Sequence, residues 1–351
     1  MIMNGTKKRK KEQLTIATEK DITYSTLSDG FDWFYFINNS LPELNLDETD
    51  TTTSFLEYKL EIPLIISAIS GGEDTGDKLN MQLAEVSNDE KIALELGSIR
   101  PYLEDKAKLS ILKEIRSICK NNPLIANLGA VQVKSYLKIL PSVIEEIGID
   151  CFSIHLNPLQ EAIQPEGEPL YKGIKEAIKS LKREINTPII VKEIGIGLSR
   201  NVVVELMNIG IEYINIAGAG GTSWVKIESE RITDKLKREI AREFYDWGIP
   251  TATILNEIRD LTKDVKIIAT GGIDRGIKFA KAIALGAHLA GGSRIFVKKW
   301  TEGGQNAIRE LIHVWKEVLK IAMFCTGCKN IDEFRANKNI IREKYAFNSF
   351  T

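Results

Sequence analysis

The chain has 351 residues, 43% hydrophobic and 27% charged, a make-up that suits a globular protein of one large domain or two ordinary ones. With 47 basic against 48 acidic residues its formal net charge is -1, so no bulk field draws it to nucleic acid or a membrane surface. It lacks an uninterrupted 18-residue apolar run, and its Lys-rich start has no apolar stretch behind it, so neither a spanning helix nor a secretory signal is expected and the cytoplasm is the expected compartment.

Residues 1–20 are basic, with Lys7, Lys8, Arg9, Lys10 and Lys11 in a row. Such a run reads either as a disordered tail or as an arm that folds over an anionic ligand. Residues 21–58 hold Phe31, Trp33, Phe34, Tyr35 and Phe36 without a clear period, as an irregular cap would. From Ile62 a strand–helix rhythm sets in. Buried strands are predicted at Pro63–Ile69, Ile92–Leu96, Leu124–Leu128, Cys151–His155, Pro188–Glu193, Tyr213–Ala217, Lys266–Thr270 and His288–Gly292. Amphipathic helices are predicted between them, among others at Ala107–Cys119, Lys134–Ile147, Gly173–Ile185, Asn201–Ile209 and Ile277–Leu285. Short buried strands alternating with helices imply a parallel α/β sheet. Eight such units in about 250 residues match a closed (β/α)8 TIM barrel, with the open doubly wound sheet as the alternative. The expected division is an arm and cap at 1–58, the barrel at 59–330 and a charged, peripheral tail at 331–351. The segment Gly218–Lys235, after the sixth strand, is a candidate lid.

Polar chemistry collects where strands end. The fourth strand runs into His155, Asn157, Gln160, Glu161, Glu166 and Glu168, with Pro158 and Pro165 barring one continuous helix. An acidic surface loop would explain the glutamates, but His155 sits on the strand itself. Lys192 ends the fifth strand; a buried lysine is costly unless it meets an anion, and Glu193 or Glu161 is the simplest partner. Asn127 and Ser98 end the third and second strands. Glycine clusters follow the first, sixth, seventh and eighth strands: Ser70-Gly71-Gly72, Gly218-Ala219-Gly220-Gly221, Gly271-Gly272-Ile273 and Gly291-Gly292-Ser293-Arg294. Each alone could be a turn, but the last two, ahead of helices, fit a phosphate cradle. A cradle, a buried lysine and amide and hydroxyl donors together describe a flavin mononucleotide site. The Cys325–Cys328 pair has only His313 near it in sequence, so structural thiols are predicted rather than zinc.

These residues resemble the type 2 isopentenyl-diphosphate isomerases, an FMN-dependent barrel family, over roughly residues 7 to 330. The most specific part is His155-Leu156-Asn157-Pro158-Leu159-Gln160-Glu161 followed by Pro165-Glu166-Gly167-Glu168. Asn127-Leu128-Gly129-Ala130-Val131-Gln132, Val191-Lys192-Glu193 and Gly220-Gly221-Thr222-Ser223-Trp224 with Glu228 add to it. The resemblance implies interconversion of isopentenyl and dimethylallyl diphosphates, with reduced FMN as the acid–base agent and NADPH as its reductant. It implies catalytic roles for Gln160, Glu228 and His155, and Mg²⁺ held by Glu161 against the diphosphate. Arg9, Lys10, Ser98, Arg100, Asn157 and Gln160 would bind substrate. Ser67, Ala68, Ile69, Ser70, Ser98, Asn127, Lys192, Thr222, Gly271, Gly272, Ile273, Ser293 and Arg294 would hold FMN. A homotetramer or larger assembly is also implied.

The sequence departs from the family pattern on the substrate side. Gln13 stands where a histidine is usual, removing a titratable donor. Ile99 stands where glutamine is usual, removing a polar group from the pocket. Glu73 and Asp74 follow the first glycine pair, where carboxylates would weaken anion binding. Asp274-Arg275 follows the seventh strand in place of Arg-Ser or Arg-Thr. The alternatives are therefore an FMN oxidoreductase on the same scaffold with another small substrate, or a non-catalytic paralogue. Hydroxy-acid oxidation is the harder fit, since His288 lies at the start of the eighth strand and His313 on a helix.

Overall fold

The computed structural model describes residues 2–344, without the side chains of residues 2–7 and 106. Lys7 of the basic run, as a side chain, and residues 345–351 of the tail lie outside the described residues. Eight parallel strands close into a barrel, each paired with the next in the chain and the eighth with the first. They are β1 (Leu64–Ile66), β2 (Ala93–Ser98), β3 (Leu124–Gly129), β4 (Cys151–His155), β5 (Ile189–Lys192), β6 (Tyr213–Asn215), β7 (Lys266–Ala269) and β8 (Leu289–Gly292). Six lie within the predicted apolar runs, while β2 continues to Ser98 and β3 to Gly129, just past them.

Side chains alternate along a strand, and here the alternation makes two layers. Ile65, Ala93, Ile125, Cys151, Ile190, Ile268 and Leu289 fill the lower barrel, and Phe55 and Leu60 close it from below. Phe55 and Leu60 belong to a small hairpin, Thr53–Phe55 with Tyr58–Leu60. Two residues further along each strand the same inward phase carries Ser67, Glu95, Asn127, Ser153, Lys192, Asn215 and Thr270. The barrel is therefore dry below and polar above. The outward phase supplies the larger apolar core against the helices, including Leu64, Ile66, Leu94, Phe152, Val191 and Ile267.

Three differences from the sequence reading concern helices and the chain ends. The helix expected at Lys134–Ile147 is two helices, Ala130–Tyr136 and Leu140–Ile147. Pro141 at the first turn of the second explains the break, because it has no N–H to continue the first. Residues 2–19 form a helix, Ile2–Glu19, that packs on Trp224–Arg231 across the mouth of the barrel. The candidate lid after β6 folds into that same Trp224–Arg231 helix, capped by Ser223. The C-terminal stretch is not peripheral: Ile341–Glu343 pairs antiparallel with Phe34–Phe36, and Phe334, Ile340 and Ile341 are buried. Cys119, Cys151 and Cys328 are buried free thiols and Cys325 is a half-buried one.

Candidate active site

The polar upper layer is one connected network. Lys192 Nζ meets Glu95 Oε2 at 2.7 Å and Ser67 Oγ at 3.1 Å, with Lys192 and Glu95 only 5% and 1% exposed as side chains. The partner of Lys192 is thus Glu95, not Glu193 or Glu161. Glu193 faces the other way, where its Oε2 accepts the backbone N–H groups of Ile194 to Gly197. Glu95 went unread in the sequence, though the argument made for Lys192 applied to it: a charge on the inward phase of a buried strand needs a partner. Burial alone would raise the Glu95 pKa, but Lys192, Asn127 and the Ala68 N–H together bring it below the usual carboxylate range.

Asn127 Nδ2 donates to Glu95 Oε1 at 2.9 Å, which leaves its Oδ1 to accept from His155 Nδ1 at 2.7 Å. That bond places the His155 proton on Nδ1 and the lone pair on Nε2. Burial, then the nearby Lys192 charge, push the His155 pKa down to about 3, so the ring is neutral at physiological pH.

A second cluster sits on the loop after β4. Pro158 opens a short helix, Pro158–Ile163, that buries Gln160 and Glu161. Asn157 Nδ2 donates to Gln160 Oε1 at 2.9 Å and to Glu161 Oε1 at 3.1 Å, while Tyr171 OH donates to Asn157 Oδ1 at 2.9 Å. Asn157 therefore holds Gln160 and Glu161, one helical turn further on. Glu161 Oε2 accepts from Gln164 Nε2 and from the Glu168 N–H, both at 2.8 Å. Gln160 Nε2 donates to Glu228 Oε1 at 2.8 Å, which brings the helix Trp224–Arg231 into the site. Glu228 is fully buried and paired with Arg231 at 2.7 Å, a residue the sequence reading passed over although its i, i+3 spacing from Glu228 was visible.

The N-terminal helix covers this cluster. Gln13 Nε2 donates to Glu228 Oε1 at 2.7 Å, so the amide keeps a donor where a titratable one was thought lost. Lys10 Nζ donates to the Ser98 carbonyl at 3.0 Å. Burial, then Arg9, push the Lys10 pKa down to about 7. Arg9 is also lowered, by burial first and by Arg100 next, and its Nε is buried without a partner. A buried cation beside a half-buried one whose Nε is orphaned makes an anion site by the chemistry of the donors alone. Arg100 is tied to Glu104 at 2.8 Å.

The other departures bear less on the pocket than their positions suggested. Ile99 is wholly buried in the apolar core. Glu73 caps the helix Asp74–Asp89, accepting from Gly76 N at 2.5 Å and Thr75 N at 3.1 Å. Asp274 is exposed and pairs with Lys278 at 2.9 Å.

The glycine-rich strand ends converge. Gly271 has φ +100°, and a Cβ there would overlap the Gly218 carbonyl, so the loops after β6 and β7 touch backbone to backbone. Ser293 Oγ donates to the Ala68 carbonyl at 2.9 Å, and Ser67 N to the Gly292 carbonyl at 3.0 Å, joining the end of β8 to that of β1. Thr222, Gly271, Gly272, Ile273, Ser293, Arg294 and the Ser67–Ser70 segment are carried on these joined strand ends, while Asn127 and Lys192 belong to the polar layer within. His288 lies in the lower half, its Nδ1 accepting the Ile267 N–H at 3.1 Å, and His313 lies on the long outer helix Arg294–Phe324.

Residues 168–342 match the model of the FMN-dependent dehydrogenase family. In fold the chain is similar to flavocytochrome b2, at TM-score 0.69 and 16% identity over 97% of this chain and 84% of that one. It is also similar to a mandelate oxidase variant, at TM-score 0.64 and 13% identity over 95% and 98%. Much nearer in sequence is the isopentenyl-diphosphate delta-isomerase of Rickettsia felis, 37% identical over 93% of this chain and 94% of the relative. That of Rickettsia bellii is 37% identical over 93% and 96%. Identity at this level along nearly the whole of both chains, on a closed parallel barrel, shows that the chain belongs to the isopentenyl-diphosphate delta-isomerases, in their FMN-dependent type 2 form.

Proposed function

We propose that this protein interconverts isopentenyl and dimethylallyl diphosphates in the mouth of the barrel, between the polar layer and the N-terminal helix. The observation that carries this reading is the Arg9–Lys10 pair, Lys10 buried and Arg9 with a buried, unpartnered Nε, beside the Gln160–Glu228 contact. It supports a polyanion-binding end next to a positioned amide.

The residues fit FMN. The joined ends of β7, β8 and β1 would supply backbone N–H groups for its phosphate. Thr222, Gly271, Gly272, Ile273, Ser293 and Arg294 would hold that end, and Ser67, Ala68, Ile69, Ser70, Ser98, Asn127 and Lys192 the ring. Reduced FMN, once bound and supplied with electrons by NADPH, contributes a ring nitrogen able to exchange a proton with the substrate. Lys192, held by Glu95, would set positive charge beside the ring. Arg9, Lys10, Ser98 and Arg100 would bind the diphosphate. Among the described residues no group of three or more His, Cys, Asp or Glu stands ready for a metal. A Mg²⁺ here would therefore be carried by the Glu161 carboxylate and the substrate's own phosphate oxygens, as suits a hard ion that retains water. Gln160, fixed at both ends of its amide, would orient the reacting alkene, with Glu228 behind it. Neutral His155 would offer its Nε2 lone pair as an acceptor. The reaction shifts one double bond and is redox-neutral overall. A homotetramer or larger assembly is part of the proposal.

The test is anaerobic. FMN-loaded protein is reduced, given Mg²⁺ and isopentenyl diphosphate, and the allylic product is followed. Wild type turns over. Gln160→Asn, one methylene too short to span Asn157 and Glu228, falls by about a hundredfold in kcat. Absence of turnover in reduced, flavin-loaded wild type removes the proposal, and tight diphosphate binding without conversion identifies a binding module instead.

A further inference from the structure

Behind the Gln160–Glu228 contact stands a residue with no role in the scheme above. Arg231 is 5% exposed as a side chain, one helical turn after Glu228. Its guanidinium meets three carboxylates from three parts of the chain. Nη1 donates to Glu228 Oε2 at 2.7 Å, Nη2 to Glu166 Oε1 at 2.7 Å, and Nε to Glu12 Oε2 at 3.1 Å. Glu12 lies on the N-terminal helix and Glu166 on the loop after Pro158–Ile163.

We propose that Arg231 is the positioning residue for Gln160, holding Glu228 as an acceptor-only carboxylate and thereby dictating which way the Gln160 amide faces. This rests on the functional reading above, in which Gln160 stands beside the substrate.

The hydrogen bonds leave little freedom. Glu228 Oε1 accepts from two amide nitrogens, Gln160 Nε2 at 2.8 Å and Gln13 Nε2 at 2.7 Å. Oε2 is taken by Arg231, so the three donors together set how the carboxylate is turned. The Gln160 Oε1 accepts from Asn157 Nδ2 at 2.9 Å, so the amide has one orientation that satisfies both ends. A fully buried carboxylate keeps its charge only beside a cation. The groups that face Glu228 are Arg231 from its own helix, Arg9 and Gln13 from the N-terminal helix, and Gln160 from Pro158–Ile163. Glu166 adds negative charge from the following loop. The helix Lys235–Arg242 packs on the same element, but Arg238 donates from it to the Ile232 carbonyl, and Tyr245 beyond it meets the Ser229 hydroxyl. Arg9 is thus the other cation, and it also faces Arg100. Removing Arg231 leaves Glu228 Oε2 without its donor. The carboxylate is then free to turn, and the Gln160 amide loses its fixed acceptor. Through Glu12 and Glu166 the same guanidinium ties the covering helix and the loop to this setting.

The test compares wild type, Arg231→Met and Arg231→Lys as reduced, FMN-loaded, Mg²⁺-supplied protein acting on isopentenyl diphosphate. Arg231→Met loses more than about tenfold in kcat and changes less in KM. Arg231→Lys, which keeps a donor for Glu228 Oε2, restores most of kcat. A second readout needs no turnover: a crystal structure of Arg231→Met shows the Gln160 amide turned from Glu228. Wild-type kcat in Arg231→Met, with the Gln160–Glu228 contact unchanged, overturns the proposal. If Arg231→Met does not fold, Arg231→Gln, too short to reach all three carboxylates, decides by the same two readouts. If wild type turns over no substrate, the functional reading falls, while the crystal structure still judges what Arg231 does to Glu228 and Gln160.

Discussion

Lys192 and Glu95 are each the reason the other is tolerated inside the barrel. Alone, either charge would be expelled or neutralised; together, with Ser67 and Asn127, they form a fixed dipole at the foot of the mouth. Lys192→Met leaves Glu95 buried without its cation. It should cost about 3–5 kcal/mol in urea unfolding, and the purified protein should no longer retain the yellow flavin. Lys10 shows the opposite condition, a cation whose anion is missing. Its pKa of about 7 in the folded chain, against an ordinary 10.5, means the folded state binds fewer protons between those values. Its contribution to stability is therefore complete above the unfolded value and is lost as pH falls through about 7. A diphosphate bound there, as proposed, would raise the Lys10 pKa again. Titration calorimetry near pH 8 in buffers of different ionisation enthalpy should show proton uptake on binding, and Lys10→Met should abolish that share.

Elements were legible where their signal was local. Apolar runs marked all eight strands because a strand buried on both faces needs no partner to declare itself. The N-terminal helix was not legible, since it is polar nearly all round and its holding contacts lie far along the chain, such as Gln13 to Glu228 and Lys10 to Ser98. The same distance hid what two of the departures are packed against. Ile99 belongs to the core, and Glu73 is a helix cap, neither of which its neighbours in sequence reveal. Glu73→Ala should remove the cap on Asp74–Asp89 and cost about 1 kcal/mol by thermal or urea unfolding. The candidate site was legible in its residue types and not in its pairings: Gln160, Glu161 and Lys192 stood out, while Glu95 and Arg231, which orient them, did not.

At the scale of the molecule, the helix Lys235–Arg242 turns Leu236 and Ile240, 71% and 52% exposed, to solvent one turn apart, and Trp247 follows at 59%. Apolar side chains of that size on one face suit burial against a second copy. If that face carries the proposed assembly, Leu236→Glu with Ile240→Lys should reduce the sedimenting mass without altering the far-ultraviolet circular dichroism. The antiparallel pairing of Phe34–Phe36 with Ile341–Glu343, backed by Phe36 against Phe334 at 5.7 Å, joins two stretches far apart along the chain. Phe34–Phe36 therefore gains this ladder only once residues 341–343 are present. A chain cut short after residue 340 should still close its barrel yet lay bare one edge of the aromatic cap, which limited proteolysis near Phe36 would reveal.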